Sequence, residues 1–209
     1  MTFAEGETIV FIGDSITEDG RYEDHEGLGR GYVRLLHDYF MTEFPKLHLQ
    51  IINEGIGGQR ITDLQERWQT DVIDHQPDWL SISIGINDVW RQLDSPEIEQ
   101  VYPDQFEDIY RTLLTDVKRE TTAKIILMEP TIIEEDPESE GNRLLMPYLE
   151  SVNKLAEEFD CLCVPEHEQF QRVLRAQPEK ALTTDGVHMT SVGRMLMATT
   201  WLKAVQSKS

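Results

Sequence analysis

The stretch VFIGDSITED, residues 10–19, poses the question on which the fold turns. An apolar run ends in Gly13. Asp14, Ser15, Ile16 and Thr17 follow in a segment too polar to continue a buried strand. A strand that delivers a serine just past its end, beside an acid, has two readings. The serine can cap a helix, or it can be a nucleophile held at the rim of a sheet.

Working outward, TIVFIG (8–13), LHLQIIN (47–53), WLSISIGI (79–86), KIILMEP (124–130) and CLCVP (161–165) read as five buried strands. Between them, apolar residues recur at helical spacing. One set is Val33, Leu36, Phe40 and Phe44; another is Phe106, Ile109, Tyr110, Leu113, Leu114 and Val117. A third runs from Leu145 through Tyr148, Leu149, Val152, Leu155 and Ala156 to Phe159, and a last one carries Val192, Met195, Leu196 and Leu202. The weaker stretch at 61–73 completes the alternation. Near-continuous apolar strands alternating with amphipathic helices predict a parallel sheet covered on both faces. Right-handed crossovers then give a three-layer α/β/α sandwich with five parallel strands, in one domain over residues 1–209. Ligands of such sheets bind outside the carboxyl ends of the strands.

Composition excludes several classes. With 39 acidic against 19 basic residues the formal net charge is -20, which should repel nucleic acid and anionic membrane. The dense acidic run EEDPESE (134–140) reads as a solvated loop. Cys161 and Cys163, two apart in an apolar run, point to one strand face, which suits burial better than a disulfide. MTFAEGETIVFIG shows no basic region followed by a long apolar core, and no run approaches the roughly 20 residues of a membrane span. The expectation is a soluble, cytoplasmic protein, with self-association into a homo-oligomer left open.

Four polar, glycine-containing clusters open at the predicted strand ends or in the turn before the last helix: Gly13-Asp14-Ser15, NEGIGGQR (53–60), GINDVW (85–90) and TTDGVHMT (183–190). Singly each is a cap, a turn or an Asx-turn. Together they meet the needs of acyl transfer. A serine hydroxyl is a weak nucleophile until a base takes its proton. His188 suits that role, since an unperturbed histidine with a pKa of about 6.5 is mostly neutral at pH 7. Asp185, three residues earlier, can accept from the imidazole Nδ1–H. The Ser15 N–H, the Gly58 N–H and the Asn87 amide are candidate donors to an oxyanion. No cofactor or metal is expected.

These four blocks, GDSIT, GIGG, GIND and DGVH, resemble in order and spacing those of the SGNH (GDSL-type) hydrolases, from about residue 8 to the last helix. The resemblance implies a flavodoxin-like fold. It makes Ser15 nucleophile and oxyanion donor, Gly58 and Asn87 further oxyanion donors, and Asp185 and His188 the remainder of a triad. GRGYVRLL and GINDVWRQLD are similar to the carbohydrate-esterase branch, especially acetylxylan esterases. Ile16 stands where leucine is usual. Met189 stands where proline is common, which should loosen the loop without removing a chemical group.

The expected activity is removal of short acyl groups, chiefly acetyl, from a small sugar or oligosaccharide. A fatty-acyl lipase or thioesterase is the alternative, and a non-catalytic binding module a third reading. Asp14 and Trp90 are the candidate substrate-binding residues, with Arg60 and Arg91 as polar neighbours. Trp90 reads equally as core or as a stacking platform for a sugar ring. His25, His37, His48, His75 and His167 read as surface or structural, and GLGRG (27–31) as a turn into the next helix.

Overall fold

A computed structural model describes residues 3–207. Five strands, β1 (Thr8–Gly13), β2 (Gln50–Gly55), β3 (Trp79–Ser83), β4 (Lys124–Met128) and β5 (Leu162–Val164), form a parallel sheet in the order β2-β1-β3-β4-β5. Ile9 to Ile12 of β1 are fully buried, as a central strand covered on both faces requires. Burying an isoleucine or leucine side chain contributes about 1.5–3 kcal/mol.

Eight α-helices lie among the described residues: α1 (Ser15–Glu18), α2 (Tyr32–Glu43), α3 (Ile61–Trp68), α4 (Ile86–Asp94), α5 (Pro103–Glu120), α6 (Glu140–Glu158), α7 (Glu166–Ala176) and α8 (Ser191–Ser207). On one side of the sheet α8 packs against α2 and α7; on the other, α5 packs against α3 and α6. This is the expected sandwich, with flavodoxin-like strand order. The order reverses between β1 and β3, so the carboxyl ends of those strands flank the crevice where such sheets take ligands.

The elements differ from the sequence reading in identifiable ways. β2 begins at Gln50 because Pro45–Leu47 forms a 3-10 turn and His48 is left-handed at φ 46°. β3 stops at Ser83. Gly85, at φ 116°, turns the chain, and Ile86 to Val89 become the buried first turn of α4. Helix α7 was not read from the sequence: its apolar signal is the short set Phe170, Val173 and Leu174, and Glu166, His167 and Gln171 share its buried face. Cys161 and Cys163 are not disulfide-bonded; Cys161 is buried and Cys163 half-buried.

Candidate active site

Ser15 opens α1 immediately after β1, and the Asp14 side chain caps that helix by accepting the Ile16 N–H at 2.9 Å. The cap and the nucleophile readings of GDSIT therefore fall on different residues. Ser15 Oγ lies 2.9 Å from His188 Nε2, and His188 Nδ1 lies 2.6 Å from Asp185 Oδ2. A carboxylate only accepts, so Nδ1 carries the proton and Nε2 accepts from the serine O–H. Asp185 also forms an Asx-turn: its Oδ1 accepts the backbone N–H of Val187 at 3.1 Å and of His188 at 2.8 Å. Burial alone would raise the Asp185 carboxyl. The hydrogen bonds from the His188 ring and from both backbone N–H groups outweigh it and hold the group below the usual range.

Asn87, in the first turn of α4, is 1% exposed. Its Nδ2 donates to the Gln59 carbonyl at 3.0 Å, an acceptor that fixes which way the amide faces. A second N–H remains on that nitrogen, as an oxyanion would need. Gly58 lies in the exposed loop between β2 and α3 at φ 79°, a left-handed conformation that favours glycine. Thus Ser15, Gly58 and Asn87 follow the ends of β1, β2 and β3. Acyl transfer to serine demands a hydroxyl hydrogen-bonded to a base and N–H donors for an oxyanion, and these residues have the chemistry for such roles.

A family model described as the GDSL-like lipase/acylhydrolase family matches residues 11–196. The chain belongs to this family. As a GDSL-like acylhydrolase it is a carboxylic ester hydrolase. It is 39% identical to an acetylxylan esterase from Geobacillus stearothermophilus, covering 98% of this chain and 96% of that one. A crystal structure of an acetylxylan esterase from the same organism superposes with a TM-score of 0.92 at 38% identity, over 98% of this chain and 96% of that one. The enzyme LAE5, an alpha/beta hydrolase from the metagenome of Lake Arreo, Spain, gives a TM-score of 0.90 at 33% identity, over 99% and 98%. A thioesterase 1/protease 1/lysophospholipase L1 from Escherichia coli is 25% identical over 99% of this chain and 88% of its own.

Around this GDSL-type site the remaining candidates divide. Trp90 is half-buried at the edge of the site, its ring centroid 5.7 Å from that of His188 and at 69° to it, with the Arg91 guanidinium 5.4 Å from the Trp90 ring centroid. Asp14, the other candidate, is 1% exposed, and its carboxylate is the cap of α1. Burial pushes its carboxyl up to about 7, against the opposing effects of the Ile16 N–H and the nearby His188. His75 does have an acid partner, Glu54 at 3.1 Å, but Arg21 shares that carboxylate at 3.2 Å in an ion cluster on β2. His167 is buried and donates Nδ1–H to the Thr131 carbonyl at 2.5 Å.

Two anchors of the histidine loop escaped the sequence reading. Glu135, inside the acidic run expected to be solvated, accepts from the backbone N–H groups of Leu182 and Thr183, both at 2.6 Å, and from Thr183 Oγ1 at 2.9 Å. Asp19, which follows α1, takes a two-pronged bond from Arg194 of α8 at 2.6 and 2.8 Å. That bridge ties the serine segment to the histidine segment across 175 residues. Met189 does not loosen the loop as expected: it is buried and pairs with Thr183 in a β-bridge. A groove of about 870 Å³ between α6 and α7, lined by Asn142, Met146, Asn153, His167, Gln171 and Arg175, contains none of the serine, histidine or oxyanion candidates.

Proposed function

We propose that this chain is a serine esterase that removes acetyl groups from short xylo-oligosaccharides or similar sugars. The observation that carries the chemistry is the hydrogen-bonded line Ser15–His188–Asp185. In this reading Ser15 Oγ attacks the acetyl carbonyl carbon while His188 Nε2 takes its proton. The carbonyl oxygen becomes an oxyanion held by the Ser15 N–H, the Gly58 N–H and the Asn87 Nδ2–H. As the intermediate collapses, the C–O bond to the sugar breaks and His188 returns the proton to the leaving oxygen. A water molecule, deprotonated by the same imidazole, then attacks the acetyl-enzyme and releases acetate. Asp185 holds the tautomer and balances the imidazolium.

The sugar substrate rests on the likeness to the acetylxylan esterase over nearly the whole chain. It is further supported by Trp90 beside His188, whose ring face suits the apolar face of a pyranose. The groups nearest Gly57 and Gly58 are Ser15, Glu18 and Arg91, polar residues that offer no apolar wall there. Each methylene of a longer acyl chain gains about 0.8 kcal/mol only where it finds such wall. A cytoplasmic location belongs to the same reading, and light scattering would decide between a monomer and a homo-oligomer. The deciding test compares kcat/KM on acetylated xylo-oligosaccharides, p-nitrophenyl acetate and p-nitrophenyl octanoate. Acetyl should exceed octanoyl, and Trp90→Ala should reduce activity on the acetylated sugar far more than on p-nitrophenyl acetate. A preference for octanoyl would overturn the substrate while leaving the triad intact.

A further inference from the structure

Arg67 of α3 lies on no block that the family pattern marks, yet its guanidinium reaches three segments of the site. Nη2 donates to the Gly13 carbonyl at 3.1 Å, two residues before Ser15. Nη1 donates to the Glu54 carbonyl near the end of β2 at 2.7 Å and to the Asp71 carboxylate at 2.8 Å. Nε donates to the Gln59 side-chain oxygen at 2.5 Å. Gln59 is the link to the chemistry. Its backbone follows Gly58, and its own carbonyl accepts the Asn87 Nδ2–H at 3.0 Å. Holding the Gln59 side chain therefore constrains two proposed oxyanion donors together: the Gly58 N–H through the chain, and the Asn87 amide through a hydrogen bond.

The hold on Arg67 is itself directional. Asp71 sits four residues on, and the hydrogen bonds from Arg67 and Thr70 keep its carboxyl below the usual range despite the opposing effect of burial. A planar fork with five N–H donors can serve these four acceptors at once; a lysine ammonium, with three donors from one point, cannot. Oxyanion donors act through preorganisation, so a loop that relaxes by a fraction of an ångström loses rate before it loses substrate.

We propose that Arg67 and Gln59 form a positioning clamp that holds Gly58 and Asn87 as one oxyanion-binding unit, acting on the transition state without touching substrate. This rests on the proposed oxyanion roles above. Arg67→Ala removes ties to three segments and can fail to fold, so the half-exposed Gln59 carries the test. On p-nitrophenyl acetate, Gln59→Leu and Gln59→Ala should each lower kcat by about 10-fold with KM changed by less than about 2-fold. Gln59→Glu keeps an acceptor for Nε and should recover most of that loss. In an Asn87→Ala background Gln59→Leu should cost clearly less than it does alone, since one of the two donors it positions is already gone. Unchanged kcat in both apolar variants, a loss in Gln59→Glu equal to that in Gln59→Leu, or fully multiplicative losses with Asn87→Ala would each overturn the clamp. If Asn87→Ala is itself silent, the oxyanion assignment fails first, and that result is read separately.

Discussion

The two halves of the site are held in place by different means. Ser15, Gly58 and Asn87 follow directly from the ends of β1, β2 and β3, and Asn87 is 1% exposed. Asp185 and His188 lie on a loop with no strand beneath it, their side chains 46% and 39% exposed. That loop is tied by side chains and turns: Glu135 at its start, the Glu134 N–H donating to the Gly186 carbonyl at 2.8 Å, and the Asp19–Arg194 bridge beyond it. Geometry in the first half comes from the strand ends and from the hydrogen bonds that Arg67 and Gln59 make to them, and two carboxyls there, Asp14 and Asp88, are out of water. Geometry in the second comes from charged hydrogen bonds in a place that water can reach, which the hydrolysis of an acyl-enzyme requires.

The sharpest way to break this comparison is to show that the exposed half matters less to chemistry. Ser15→Ala and His188→Ala should each lower kcat by about 10⁴-fold or more, and the double variant should be little worse than either single. Losses that multiply in the double variant would mean the two residues do not act as a unit. Asn87→Ala should lower kcat by about 10²–10³-fold with a smaller effect on KM, because its spare N–H meets a charge that exists only in the transition state. A change confined to KM would instead make Asn87 a contact to ground-state substrate.

Glu135 tests the tethered half. Glu135→Ala frees the backbone N–H groups of Leu182 and Thr183. We expect kcat on p-nitrophenyl acetate to fall by about 10-fold as the imidazole loses its fixed approach to Ser15. Glu135→Gln, which keeps an acceptor oxygen, should retain most of the activity. A lowered melting temperature with unchanged kcat would make Glu135 a structural residue only.

What could be read in advance follows the same division. The strands were legible because a sheet covered on both faces demands apolar runs such as Ile9–Ile12. The four blocks were legible because each is a short local signal at or near a strand end. Asn87 and Ser15 could be named, yet α4 could not, since its first turn continues the apolar run of β3 until Gly85 turns the chain. Helix α7 was hidden by polar residues on its buried face. The anchors were illegible for another reason: Asp19 meets Arg194 across 175 residues and Arg67 meets Gly13 across 54, and neither pair leaves a periodic trace. Glu135 was masked by its acidic neighbours, which are exposed or partly so, while it alone among them accepts three bonds from the histidine loop.

The smallest expected effect separates the halves by pH. Asp88 is fully buried beside Asn87, and its carboxylate accepts the Ile61 N–H, at 3.1 and 3.3 Å. Burial pushes this carboxyl from 3.8 up to about 7, with the Ile61 N–H and the Arg60 charge opposing. Between those values the folded chain binds more protons than the unfolded one. The stability this group contributes is therefore full below about 4 and is lost as pH rises through about 7. Asp185 has the opposite sign. Its carboxyl is lowered, so its contribution is present above the unfolded value of 3.8 and is lost as pH falls through the folded one. Solvent screening keeps that contribution small. Asp88→Asn keeps an acceptor for Ile61 and abolishes the titration. Its melting temperature relative to the parent should rise by a few degrees, on the order of 2–4 °C per kcal/mol, between pH 5 and pH 8. Asp185→Asn should instead be the less stable protein at pH 7, with the deficit shrinking as pH drops below 4. Melting curves of both variants across that range decide the matter: a flat difference for Asp88→Asn, or the same slope for both, would show that burial does not distinguish the carboxyls of the two halves.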